Sequence, residues 1–256
     1  MPDPAPRSLT FRIFRHNPAD AASTPHLQEF KLEETPGLNL FVALSRIREE
    51  QDPSLQFDFA CRAAVCGSCG MMINGKPSLG CRTLTRDLPA TIALLPMPGF
   101  KLIGDLSVDT GTWFRALNTR VEAWIHTKEE RDPNLPEERM DNATALKIYE
   151  SERCIECGCC LAGCATVGMN PAFLGPAGMN RVARFMLDPR DERGEGGYFE
   201  VVATGDGVFG CLGLMACQDV CPKNLSLQET FGYMRRTLAK NLLHAGDGKG
   251  PARSRA

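Results

Sequence analysis

Residues 8–16 alternate apolar and polar side chains, with Leu9, Phe11 and Ile13 on one side, and residues 27–33 (LQEFKLE) repeat the alternation after a turn containing Asn17, Pro18 and Pro25. Period-two alternation puts every second side chain on one face of a strand, so the pair predicts a β-hairpin. Asn39 then stands where it can cap a helix. Leu40, Phe41, Leu44 and Ile47 recur at helical spacing, with Arg46, Arg48, Glu49 and Glu50 opposite, as an amphipathic helix requires. A short strand at Met71–Asn74, the Asn74-Gly75 turn and the apolar Thr91–Leu95 complete a strand, strand, helix, strands order. That order predicts a small β-grasp domain over residues 1–110.

From Asp109 the period changes. Trp113, Leu117, Val121 and Trp124 predict one face of a helix, and the charged, proline-bearing stretch Lys128–Glu138 follows, so residues 111–140 are expected to form a helix and a linker. Helical patterns then dominate, at Ala143–Glu150, Ala172–Leu187 and Leu227–Leu242, with a loop at Gly194–Gly197. A mainly helical domain is expected over 141–245, and the tail 246–256, which has no apolar periodicity, is expected to be loose. The fold class is α+β. In the last helix Leu227, Phe231, Met234 and Leu238 make the apolar face, and Arg235, Arg236 and Lys240 stand opposite; ordinary packing on the domain explains that better than a membrane-surface role.

The length of 256 residues suits two domains. Lys plus Arg (29) nearly balances Asp plus Glu (31), and aromatics are 7% of the chain, so neither charge nor stacking capacity points to nucleic acid. Met1–Thr10 has no apolar core of a signal peptide, and the longest apolar stretches, such as Thr91–Met97, are far short of the about 20 residues a transmembrane helix needs. If the chain works at a membrane, it does so on another subunit. Twelve cysteines without a secretory signal point to metal-bound thiolates instead of disulfides. His16, His26, His126 and His244 stand in no ligand spacing, and no catalytic acid, base or nucleophile stands out.

Cys61, Cys66, Cys69 and Cys81 follow C-x4-C-x2-C-x11-C, the opening of which is the plant-type 2Fe-2S spacing. Three thiolates must wrap one edge of a flat cluster while backbone N–H groups point at its sulfides, and Gly67, Ser68 and Gly70 are small enough for that approach. A structural zinc site would use two C-x2-C knuckles, and here there is one.

Cys154, Cys157, Cys160 and Cys164 follow C-x2-C-x2-C-x3-C, and Cys211, Leu214, Cys217 and Cys221 repeat the spacing with leucine in the second place. In the bacterial two-cluster layout the fourth cysteine of each run ligates the other cluster. Cys154, Cys157, Cys160 and Cys221 therefore make a 4Fe-4S site, and Cys164, Cys211 and Cys217 hold the other. Leu214 cannot coordinate and is expected to keep water from the vacant corner, so that site is expected to be 3Fe-4S. A 4Fe cluster doing substrate chemistry would want an open polar corner instead. Cys159 falls outside the spacing and reads as a small buried side chain against the cluster, with a redox-sensing thiol as the alternative.

A plant-type 2Fe-2S site followed by this interrupted pair of runs resembles the iron-sulfur subunit of succinate dehydrogenase and quinol:fumarate reductase. The resemblance spans roughly residues 8–243 and includes KLIGDLSVD (101–109), NPAFLGPAGM (170–179) and CLGLMACQDVCPKNL (211–225). It implies an oxidoreductase complex in which an FAD-containing catalytic subunit interconverts fumarate and succinate while this chain relays electrons between the flavin and a membrane anchor. The implied order is flavin, 2Fe-2S, 4Fe-4S, then 3Fe-4S nearest the membrane, on the cytoplasmic face of the bacterial inner membrane. In the mitochondrial-like branch a Trp and a His line the quinone pocket; here Met169 and Leu212 stand there, and Ala165 replaces a common proline after Cys164. The GCCLAGC wording is similar to the branch with a di-haem cytochrome b anchor and a quinone, such as menaquinone, bound elsewhere. The expected direction is fumarate reduction; the alternatives are succinate oxidation by the same parts, or a relay for another flavoprotein oxidase, which the 2Fe-2S domain in front disfavours.

The ligand count makes a prediction that separates iron from zinc. Purified chain should be brown and hold about nine irons; a colourless preparation with zinc would remove the assignment.

Overall fold

The computed structural model describes residues 7–122, 124–127, 132, 134–136, 139–193, 197–198 and 201–245. The first six residues, most of the stretch 128–138, the loop at 194–196 and the expected tail 246–256 lie outside the described residues. Two compact units form, and they are not consecutive. One comprises residues 1–113 with 155–163 and 220–222; the other comprises 114–154, 164–219 and 223–256. The short stretches 155–163 and 220–222, which the sequence places in the helical domain, thus pack with the N-terminal unit. Their apolar side chains Ile155, Ala162 and Val220 join a cluster with Leu79, Met97 and Phe100.

In the first unit β1 (Ser8–Arg15) and β2 (His26–Glu33) form the expected hairpin, in register from Ser8 opposite Glu33 to Arg15 opposite His26. On its other edge β1 runs parallel to β5 (Thr91–Leu95), which continues antiparallel into β3 (Gly70–Ile73) and β4 (Lys76–Leu79). The sheet order is β2-β1-β5-β3-β4. Asn74 (φ 48°) and Gly75 (φ 80°) both take left-handed backbone between β3 and β4, the conformation of a tight hairpin turn. Helix α1 (Leu40–Glu50) is capped by Asn39, whose side chain accepts from the Val42 N–H at 2.9 Å. It buries Leu40, Ala43, Leu44 and Ile47 against Leu9, Phe11 and Ile13. A second hairpin, β6 (Lys101–Gly104) with β7 (Ser107–Asp109), has too little alternation to be read from sequence.

Helix α2 (Thr110–Val121) buries Phe114, Leu117 and Val121. The expected face through Trp113 and Trp124 is corrected: Glu122 takes φ 46° and ends the helix, leaving Trp124 exposed and stacked on His126 at 5.7 Å between ring centroids. The second unit continues with α3 (Asn142–Glu152), capped by Asp141, and α6 (Gly175–Leu187), which packs on it. Buried Asn180 of α6 donates its Nδ2 to the Ser151 carbonyl at 2.9 Å. The expected start of α6 at Ala172 is displaced to Gly175 because Pro176 belongs in a first helical turn. Helix α8 (Leu227–Ala245) also packs on α6, with Leu227, Phe231, Met234 and Leu238 buried. Between these lie three one-turn helices: α4 (Cys159–Ala162), which belongs to the first unit, α5 (Ala165–Met169) and α7 (Ala216–Asp219). No helix among the described residues is long and apolar enough to cross a membrane.

One inward position of β1 is not apolar. Arg15 follows Leu9, Phe11 and Ile13 on the buried face, and its guanidinium meets Asp52 at 2.6 Å and Asp105 at 3.1 Å, with Gln28 and Ser54 also bound. Asp105 holds the β6–β7 turn by accepting from the His16 and Gln56 N–H groups, both at 2.9 Å. Hydrogen bonds from Ser54, then Arg15, bring Asp52 from 3.8 to about 2. Its contribution to stability is therefore present above about pH 4 and is lost as pH falls through about 2. Arg15→Met should lower stability in urea by about 3 kcal/mol, because it leaves buried Asp105 unpaired, and should shrink the loss in that acid window; an unchanged midpoint would show that the carboxylates find water instead.

Candidate cluster-binding sites

The loop from Cys61 to Gly70 curls through left-handed backbone at Arg62 (φ 54°), Ala64 (φ 56°) and Gly67 (φ 78°). This turns successive N–H groups inward. Cys61 Sγ accepts from the N–H groups of Ala63, Val65 and Cys66, each at 3.3 Å, and Cys66 Sγ accepts from the Cys61 N–H at 3.4 Å. Ser68 Oγ lies 3.0 Å from Cys66 Sγ. The chain returns through β4, and the Cys81 N–H points at Cys69 Sγ at 3.5 Å. All four thiols predicted for the first site are thus gathered, two of them buried (Cys69 and Cys81), with Cys66 exposed.

Burial dominates Cys69 and pushes its thiol up to about 12. At Cys66 the smaller burial is overcome by hydrogen bonds from Ser68 and Cys61, which bring it down to about 6. Four soft sulfur donors surrounded by N–H groups fit an iron-sulfur cluster, whose bound thiolates carry negative charge that such donors stabilise. Among the described residues no three His, Cys, Asp or Glu side chains close around a single ion; a cluster has no need of that, because its thiolates are distributed over several irons.

In the second group Cys157, Cys160 and Cys221 belong to the first unit, whereas Cys154, just past the end of α3, is counted with the second. Gly158 (φ 79°) opens α4, and a Cβ there would lie 2.8 Å from the Phe100 ring. A Cβ on Gly67 would lie 2.7 Å from the Cys157 Cα. The loops of the first and second groups therefore touch backbone to backbone. Cys159 is fully buried and bonds to the Cys157 thiol: this bond, ahead of burial, brings Cys157 down to about 7, and the same bond together with burial raises Cys159. Beside Cys154, the Arg181 guanidinium is pushed below its usual range by desolvation, against the opposing pull of the Cys154 sulfur.

The third group lies within the second unit. Cys164 precedes α5, Cys211 follows a one-turn 3-10 helix (Val208–Gly210), and Cys217 sits in α7. Cys217 is pushed up to about 11 by burial, against the hydrogen bond from Gln228 and with Cys164 and Cys211 close enough to raise it further. The expected sealing of the corner by Leu214 is corrected. Leu214 is 66% exposed, and Phe209, Leu212 and Met215 beside it in sequence and Met169 after Cys164 are exposed as well, so among the described residues nothing covers the position.

Two further residues escaped the sequence. Arg235, which charge alone left on the polar face of α8, donates Nη2 to the carbonyls of Cys211 (2.8 Å) and Val208 (3.2 Å). Gln228 directs Nε2 at Cys217 Sγ, 3.7 Å away. They lie seven residues apart on one helix face, the spacing that could have linked them. Of the histidines, His16 and His26 bond locally to Ser23 and Thr24, and His126 pairs with Glu122; the side chain of His244 lies outside the described residues.

A family model described as a 2Fe-2S iron-sulfur cluster binding domain matches residues 10–115, and a 4Fe-4S dicluster domain matches residues 150–225. The chain is 56% identical over 233 residues to the fumarate reductase iron-sulfur subunit of Wolinella succinogenes, covering 91% of this chain and 98% of that protein. It belongs to the fumarate reductase and succinate dehydrogenase iron-sulfur subunits. The succinate dehydrogenase iron-sulfur subunit of Bacillus subtilis is 33% identical over 241 residues, 90% of this chain and 92% of that one. In fold, the chain matches one from the Mycobacterium smegmatis Sdh1 complex in the apo form, with a TM-score of 0.77 at 24% identity, covering 92% of this chain and 97% of that one.

The contact at Gly67 yields a paired test within this family subunit. Gly75→Ala, at φ 80° in open space, should lower stability by about 1–2 kcal/mol through backbone strain alone. Gly67→Ala adds the collision with Cys157 and should lower it further and reduce the bound iron; equal effects of the two, by denaturation and iron assay, would show that the loops part freely.

Proposed function

We propose that this chain is the electron-relay subunit of a membrane-bound quinol:fumarate reductase. Cys61, Cys66, Cys69 and Cys81 would hold 2Fe-2S; Cys154, Cys157, Cys160 and Cys221 would hold 4Fe-4S; Cys164, Cys211 and Cys217 would hold 3Fe-4S. When bound, the clusters supply one-electron carriage, and the carbon chemistry stays with the FAD of a catalytic partner. The protein's part is to hold sulfur in the thiolate state, to supply the N–H groups that stabilise it, and to offer surfaces to its partners.

The carrying observation is the exposed apolar surface around the third group: Met169, Phe209, Leu212, Leu214 and Met215. A surface patch of this kind around a thiolate trio is suited to burial by an apolar partner, here a cytochrome b anchor, which would cover Leu214. Because Met169 and Leu212 offer a quinone oxygen no hydrogen-bond donor, the quinone, menaquinone or another, is assigned to the anchor, with its haems. The exposed loop with Val65 and Cys66 would face the flavoprotein. The position is peripheral, on the cytoplasmic face of the bacterial inner membrane. Fumarate reduction as the direction is supported by the 56% identity to one fumarate reductase subunit; three others (31%, 30% and 32%) are no nearer than the succinate dehydrogenase subunits (33% and 37%).

In the purified complex, fumarate reduction driven by reduced viologen should exceed succinate oxidation; the opposite order would make succinate dehydrogenase the working reading. Leu214→Cys should replace the oxidised-state EPR signal of a three-iron centre by a four-iron spectrum and add about one iron per chain. It should slow quinol-driven fumarate reduction while sparing the viologen-driven rate; an unchanged three-iron spectrum would remove the missing-ligand account.

A further inference from the structure

Gln228, the second residue of α8, is fixed at both ends of its side of the contact. Its backbone N–H donates to Gln218 Oε1 at 3.2 Å, and its side-chain Nε2 points at Cys217 Sγ, 3.7 Å away. Gln218 and Cys217 are neighbours in α7, so the two bonds tie the first turn of α8 to the short helix that carries the sulfur. An iron-bound thiolate has no hydrogen of its own, so the amide has one favourable orientation, with NH2 towards sulfur. Two helical turns on, Arg235 secures the loop of Cys211 from the same face. Neither residue lies within the cysteine runs, and neither is a ligand.

We infer that Gln228 is a positioning residue that raises the reduction potential of the third site through its amide hydrogen bond to Cys217 Sγ. The inference rests on the trio Cys164, Cys211 and Cys217 being that site. Reduction there adds one electron, delivered from the quinol through the membrane anchor, and makes or breaks no bond to protein and moves no proton. The added charge is shared with the ligand sulfurs. A donor on sulfur is bound more strongly in the reduced state than in the oxidised one, so it favours the reduced state. Burial of Cys217 acts the other way, because a low-dielectric surrounding penalises added negative charge. Gln228 therefore offsets the burial that the packing of α7 imposes, and the third site stays ready to receive electrons although its sulfur is buried.

The test uses the purified complex and the three-iron EPR signal, titrated against potential. Gln228→Met keeps the length of the side chain and removes the donor; at the wild-type midpoint the ratio of reduced to oxidised centres should fall several-fold, up to about tenfold, tenfold being about 59 mV for one electron. Gln228→Glu keeps the shape and brings negative charge to the same place, so the ratio should fall further than with Met. Signal amplitude per iron should stay at the wild-type value in both. If one variant fails to assemble, the other decides by the sign of its shift. An intact signal with an unmoved midpoint in either, or a Glu variant no lower than Met, would overturn the inference. Absence of a three-iron signal from the wild-type complex would instead overturn the third-site reading, and this inference with it.

Discussion

Sulfur that must carry negative charge is hard to bury, and the structure is organised around that difficulty. Burial, with neighbouring cysteines adding to it, pushes Cys69 up to about 12 and Cys217 up to about 11, which at neutral pH means a thiol and not a ligand. Positive iron restores the thiolate, but the charge left on sulfur still needs donors close by. The chain supplies them in different ways. Around Cys61 they are backbone N–H groups, made convergent by left-handed residues that give up ordinary strand or helix geometry. At Cys157 the donor is a neighbouring thiol, and at Cys217 an amide reaching over from another helix.

Most of the scaffold was legible because local patterns and tertiary packing agree in it. The hairpin of β1 and β2, the Asn39 cap and the buried face of α1 follow directly from period, capping and turn chemistry. What escaped is what sequence period does not encode. Strands β6 and β7 are only four and three residues long, and a bulge interrupts their pairing. Arg15 breaks the apolar alternation of β1 at the one inward position where two carboxylates wait, and those come from residues 37 and 90 places further along the chain. Trp124 continues a helical spacing beyond the point where the backbone has already turned away at Glu122.

The cysteines were legible as chemistry and less so as geometry. Spacing proposed which thiols to group, and the structure brings Cys61 to Cys66 and Cys69 to Cys81, with Cys164, Cys211 and Cys217 also near one another. It did not reveal that residues 155–163 would pack with the N-terminal unit, because nothing in C-x2-C-x2-C states what lies underneath. Nor did it show Leu214 standing in the open: a missing ligand is visible in a sequence, whereas its surroundings belong to the folded chain and to whatever covers it.

Ferredoxin-like units are often treated as interchangeable cassettes, joined by linkers and free to be shuffled. Here the apolar underside of the N-terminal unit, Leu79 with Met97 and Phe100, is roofed by side chains from residues 155–163 and from Val220. A gene fragment ending near residue 113 would leave that underside bare, and the resulting peptide would tend to self-associate. The two cysteine-bearing halves of the sequence are thus not beads on a string, since the sheet built from the first 113 residues is finished by loops that come later in the chain.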